Sequence, residues 1–276
     1  MLSTCRRFLL TALVVLALAL SACGGAPVPE SSASATRAPV VGESPSAKPV
    51  IPATSAPAVA APTKTTSDTV LELIGHTGIV RQATFSPDGK QIVTASDDGT
   101  ARIWDVSTAK SLLTFTGHAP SAPNRVAFAP DGKAIVTGGK DGTVLMWDPL
   151  TGTILKTFKG HTATVGTPAF SPDGKYLVTP SDDGTARLWD VASANELRRF
   201  EIPGVVIAGA AFSPDGKYLA TSGFDGIARL WDAQSGKELR RFIGHTDEVR
   251  TVVFSPDGNS ILTASHDGTA RLWRLK

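Results

Sequence analysis

Cysteine is almost absent from this 276-residue chain, and the two that occur, Cys5 and Cys23, lie near its N-terminus. Nothing beyond residue 23 can form a disulfide, so any folded region must hold together by ordinary packing. A domain of about 200 residues has enough core to do so. An excess of charge is also missing. The formal net charge of +2 is accounted for by Arg6 and Arg7, and the remainder carries 25 basic and 25 acidic residues. Phosphate binding needs clustered positive charge, so no nucleic-acid partner is expected. There is no Gly-x-Ser-x-Gly elbow, no phosphate loop and no Cys/His cluster; neither a metal nor a cofactor is expected.

What is present begins with a leader. Arg6 and Arg7 precede an apolar run, Phe8 to Leu20, broken only by Thr11. At ~1.5 Å per residue it spans about 20 Å, short of a hydrocarbon core of about 30 Å, which disfavours an uncleaved anchor helix. The following Leu20-Ser21-Ala22-Cys23 resembles the lipobox of bacterial lipoproteins. That resemblance implies a signal peptide over 1–22, acylation of Cys23, and a lipid-anchored, extracytoplasmic place at the cell envelope. The bland alternative is an ordinary signal peptide with a chance cysteine. Residues 24–68 hold eight prolines and no aromatic residue. Such a composition cannot offset its ordering entropy, so 23–68 reads as a lipidated cysteine followed by a disordered linker.

From residue 69 the chain repeats itself. Ser86-Pro87-Asp88-Gly89 recurs as Ala-Pro-Asp-Gly from Ala129 and as Ser-Pro-Asp-Gly from Ser171, Ser213 and Ser255. Trp104, Trp147, Trp189, Trp231 and Trp273 follow in step, at intervals of 43, 42, 42 and 42 residues. Gly-His opens four of the units and Trp-Asp closes four. Each unit divides into four short β-rich runs, in the first Val80–Phe85, Gln91–Ala95, Ala101–Trp104 and Leu112–Phe115. Pro-Asp-Gly and Asp-Gly-Thr supply the turns between them. The period and motifs over residues 69–276 resemble the WD40 repeat family. The resemblance implies an all-β propeller of five four-stranded blades.

It also implies a buried hydrogen-bonded tetrad in each blade. The sets are His76, Thr94, Asp98, Trp104; His118, Thr137, Asp141, Trp147; His161, Thr179, Asp183, Trp189; and His245, Thr263, Asp267, Trp273. In the fourth unit Ile202-Pro203 replaces Gly-His, leaving Thr221, Asp225 and Trp231 without an imidazole. That blade is expected to be the softest, or to satisfy Asp225 with water. One extra residue in the second unit predicts a bulging loop over Ala119 to Asn124.

The last unit stops at Lys276 with no room for a fourth strand, whereas Val70 to Ile74 occupies a fourth-strand position before the first Gly-His. The expectation is a monomeric five-blade ring closed by that N-terminal strand. Small residues on the innermost strands (Ala83, Ala127, Ala169, Ala210) would suit a narrow axis. Most propellers of this family have seven blades, and an open array completed by another chain is the alternative.

Catalysis needs titratable groups free of structural duty. Of 18 aspartates only Asp68, Asp97, Asp182 and Asp247 fall outside turns and tetrads, and of five histidines only His266. The chain is therefore expected to bind rather than catalyse. In related propellers partners meet the top rim. By position this predicts Asp97, Lys140, Asp182, Phe224 and His266 before the turn aspartates, and Ile79, Arg81, Asn124, Val206, Glu248 and Arg250 near the start of each first strand. The expected partner is a protein. Two alternatives are a small molecule or glycan at the channel mouth, met by Gln82, Arg125 and Thr167, and a role in envelope assembly.

Overall fold

The computed structural model describes residues 70–118 and 123–276. The signal segment, Cys23, the linker and most of the loop from Ala119 lie outside the described residues. Among those described, no helix is long and apolar enough to cross a membrane.

Nineteen antiparallel strands form five sheets. The first holds β1 (Val80–Phe85), β2 (Gln91–Ser96), β3 (Ala101–Asp105) and β4 (Ser111–Phe115). The second holds β5 (Pro123–Phe128), β6 (Ile135–Gly139), β7 (Val144–Trp147) and β8 (Ile154–Phe158). The third holds β9 (Ala169–Phe170), β10 (Tyr176–Pro180), β11 (Thr185–Asp190) and β12 (Glu196–Glu201). The fourth holds β13 (Ile207–Phe212), β14 (Tyr218–Gly223), β15 (Ile227–Asp232) and β16 (Glu238–Ile243). The fifth has three strands, β17 (Val249–Phe254), β18 (Ser260–Ser265) and β19 (Ala270–Arg274).

The turns explain why one pattern yields one sheet. Gly89 and Gly99 adopt φ of 70° and 87°, a left-handed backbone that a side chain would strain. Asp88 then accepts from the Ser86 hydroxyl at 2.6 Å and from Lys90 N at 3.0 Å, which ties the first hairpin shut. The aspartate after tryptophan does the same further on: Asp190 accepts from Ser193 N and its hydroxyl, both at 2.7 Å.

Each sheet is too thin to bury its own faces, and four apolar clusters form between successive sheets. Val178, Leu188 and Phe200 of the third sheet pack on Ile207, Leu219 and Trp231 of the fourth. The same positions recur at the other three junctions. First strands of neighbouring sheets meet, β1 on β5 and β13 on β17, which makes them the inner strands.

Five sheets closed in a ring would need a fifth junction, and among the described residues no apolar cluster joins the fifth sheet to the first. Val80 and Phe85 are exposed on the first sheet, although Val165, Ile207 and Val249 at the register of Val80 are fully buried. On the fifth sheet Leu262 is 44% exposed and Leu272 60%, where Val178 and Leu188 are 0% and 6%. Among the described residues no sheet covers these faces of the first and fifth sheets. Val70 to Ile74 forms no strand, and Val70, Leu71 and Ile74 are exposed.

Candidate functional site

The tetrads come first, because they decide which polar residues remain free. In the third unit Trp189 Nε1 donates to Thr179 Oγ1 at 2.8 Å, and Thr179 Oγ1 lies 2.7 Å from His161 Nε2. His161 Nδ1 faces Asp183 Oδ2 at 2.8 Å. An ionised Asp183 only accepts, so Nδ1 carries the proton and the threonine hydroxyl donates to Nε2. The result is one polarised chain from indole to carboxylate. The first unit repeats it through His76, Thr94, Asp98 and Trp104, and the fifth through His245, Thr263, Asp267 and Trp273. Burial opposes ionisation of Asp183, but hydrogen bonds from Thr185 and His161 outweigh it and hold its carboxyl below the usual range. For Asp267 the Thr269 hydroxyl does most of the same work.

Two units depart from this, and neither as expected. In the second, His118 Nδ1 meets Thr143 Oγ1 at 2.9 Å rather than Asp141, which bonds Thr143 instead. Trp147 stacks flat on Phe115, with centroids 4.5 Å apart. Its Nε1–H finds no partner among the described residues. The four residues of the expected second tetrad are therefore not one chain; the indole has exchanged its hydrogen bond for stacking. Burial leaves the His118 imidazole neutral, with its pKa lowered to about 4.

In the fourth unit an arginine partners Asp225. The buried Arg229 guanidinium fills the place of the missing imidazole, with Nη2 donating to Asp225 Oδ2 at 2.6 Å. Trp231 still donates to Thr221 at 2.9 Å. Arg102, Arg187 and Arg271 stand at the same register, two residues before tryptophan. That recurrence was the available signal for Arg229. It also explains the glycine of Gly-His: a Cβ on Gly160 would collide with the Arg187 guanidinium.

With the tetrads spent internally, the rim remains. The two predicted sets of residues are brought together by backbone bonds from the turn between the second and third strands of a sheet to the approach of its first strand. Asp97 N donates to Ile79 O, Asp182 N to Thr164 O, Phe224 N to Val206 O and His266 N to Glu248 O, at 2.9 to 3.0 Å. Four inner strands also carry a bulge here, at Arg81, Asn124, Ala208 and Arg250. Bulges turn a side chain out of the ladder and re-aim it.

Two charged groups result. Asp97 joins the first and second sheets by accepting from Arg81 Nε at 2.9 Å and pairing with Lys140 Nζ at 2.8 Å. The hydrogen bond from Arg81, then that from Lys140, lowers its pKa to about 2. A carboxylate held so firmly ionised cannot serve as a general acid near neutrality. In the second group Arg250 pairs with Glu248 at 2.6 Å, donates to His266 Nε2 at 3.1 Å, and lies over the Phe224 ring at 4.2 Å. Ile79, Lys140, Asp182 and His266 are exposed, whereas Val206 and Phe224 are half-buried. The side chain of Asn124 is outside the described residues.

Of the channel-mouth residues, Gln82 is engaged, its Oε1 accepting from Val126 N at 3.0 Å. Open clefts of about 740, 640 and 520 Å³ are lined by the Pro-Asp-Gly turns. They recur from junction to junction, so they are a product of the repeat. Among the described residues no three His, Cys, Asp or Glu side chains could hold a metal ion.

Comparison with known proteins agrees with the repeats. The family described as "WD domain, G-beta repeat" matches residues 67–105, 109–148, 152–190, 199–232 and 236–274. Ribosome biogenesis protein YTM1 of Scheffersomyces stipitis is 41% identical over 59 residues, 21% of this chain and 13% of that protein. The ribosome biogenesis protein BOP1 homolog of Aedes aegypti is 48% identical over 40 residues, 14% of this chain and 5% of that protein. The chain thus spans a small part of the length of the curated relatives it matches. Their assignment to ribosome biogenesis overturns the expected lipid-anchored location at the cell envelope, which rested on residues 1–23 alone.

Proposed function

The chain belongs to the WD40 repeat family, whose propellers are generally non-enzymatic scaffolds, and from that premise we propose that it binds a protein partner through its rim. The contact surface comprises the Arg81–Asp97–Lys140 group and the Glu248–Arg250–His266 group, with Phe224 as the apolar anchor. The observation that carries this reading is Arg250. A bulge lifts it from its strand, Phe224 supports its guanidinium from below, and Glu248 fixes its direction. A pre-positioned arginine stacked on an aromatic ring loses little entropy on binding, which is the composition of an interface hot spot.

A pull-down with the immobilised full chain tests it. Phe224→Ala combined with Arg250→Ala should abolish capture of partners retained by the parent chain, with the melting temperature little changed. Undiminished capture by that double variant refutes the rim.

A further inference from the structure

Each sheet has a leading face, which packs on the sheet that follows, and a trailing face, which packs on the one before. Four junctions inside the chain obey this rule. At the third of them Val178 and Leu188 are on the leading face, and Ile207 and Phe212 on the trailing face that meets it. The fifth sheet carries Leu262 and Leu272 at the registers of Val178 and Leu188, and the first sheet carries Val80 and Phe85 at those of Ile207 and Phe212. All four are exposed. Val253, paired with Leu262, is exposed as well and widens the patch on the fifth sheet. Repeat arrays with free ends carry polar outer faces on their terminal units. Here both terminal faces keep the apolar residues of a junction. They are exposed in the same molecule, so they do not meet within it. The fifth sheet is open in a second way. β3, β7, β11 and β15 pair along both edges, whereas among the described residues β19 pairs only with β18. A free strand edge is a template for another chain.

We propose that the leading face of the fifth sheet in one copy of this chain receives the trailing face of the first sheet in a second copy, as a fifth junction of the kind the chain already makes four times. Val70 to Ile74 precedes the first sheet as β16 precedes the fifth, so in the joined pair it runs beside the free edge of β19. The contact is head-to-tail, because two different surfaces of the chain meet. Joining separate molecules costs translational and rotational freedom that an internal junction does not, so the pair forms in concentrated solution and parts on dilution. It uses the faces of the terminal sheets and not the rim, and is independent of partner capture there.

Sedimentation velocity of the full chain, from about 1 to about 200 µM, reads the junction directly. The parent chain should sediment as a single chain at the low end and as two or more chains at the high end. Leu272→Glu disables the leading face and Phe85→Glu the trailing one. Both side chains are exposed in the single molecule, so each variant should keep the parent's melting temperature when dilute. Alone, each variant should stay a single chain throughout. Mixed in equal amounts, the two still offer one intact face of each kind and should form a species of two chains and no larger. A parent that remains a single chain at the high end, a variant that assembles as the parent does, or a mixture that fails to pair overturns the proposal.

Discussion

The third and fifth sheets carry the same tetrad at the same distances and meet different fates. Trp189 is 1% exposed and Trp273 is half-buried; Leu188 is 6% exposed and Leu272 60%. The hydrogen bonds within the two sheets agree to 0.1 Å. The tetrad therefore organises a sheet, while a following sheet is what removes its apolar face from water. Stability within a repeat and stability between repeats are separate quantities in this protein.

The sharpest way to break that comparison is a pair of truncations at one register. Leu188→Ala should cost about 3–4 kcal/mol, the range for a fully buried leucine, and Leu272→Ala less than about 1 kcal/mol. Denaturant unfolding reads both. Equal costs would mean that the outer face of the fifth sheet is covered in solution.

The second effect contrasts His118, which lacks a carboxylate partner, with His161, which has one. His118 is neutral in the fold, with a pKa of about 4 against about 6.5 when unfolded. Above pH 6.5 its contribution to stability is complete. As pH falls from 6.5 to 4 the unfolded chain takes up a proton that the folded chain refuses. Stability then drops by about 3 kcal/mol and levels off below pH 4. Melting temperatures across that window should fall less steeply in His118→Gln, and parallel curves would disprove this assignment.

A smaller difference separates the two tryptophan environments. Trp189→Phe removes an indole donor bonded to Thr179, whereas Trp147→Phe removes one with no partner. The first should cost about 1–2 kcal/mol more than the second in chemical denaturation. The smallest expected change is a gain. Ala194 holds φ of 59° at the position where the second and fourth sheets have Gly152 and Gly236. Ala194→Gly should stabilise by up to about 1 kcal/mol, seen as a modest rise in melting temperature.

Most of the sheet architecture was legible in the residues. Pro-Asp-Gly and Asp-Gly-Thr fix the turns by local backbone preference, and the strands between them begin and end within a residue or two of expectation. The positions just before the turn aspartates keep a constant offset in the sequence, and backbone bonds pair them with the approach to the first strand. What escaped depends on geometry between elements. The stacking of Trp147 on Phe115 joins side chains of two different sheets. The signal for Arg229 lies in the recurrent arginine two residues before tryptophan, outside the Gly-His position where the fourth unit departs. Arg81, Lys140 and Asp97 lie on different strands of two sheets, and only folding brings them together.

The proposed function depends on the buried imidazoles and carboxylates serving the interior while the exposed ends of the inner strands are left for a partner. Calorimetric titration of the captured partner, with melting temperature measured on the same samples, tests this division directly. Phe224→Ala with Arg250→Ala should weaken affinity at least about tenfold at nearly constant melting temperature. Thr179→Val, which cuts the third tetrad at its centre, should lower the melting temperature and leave the affinity of the folded chain alone. The reverse pattern, affinity lost with Thr179 and kept without Phe224 and Arg250, would contradict the account.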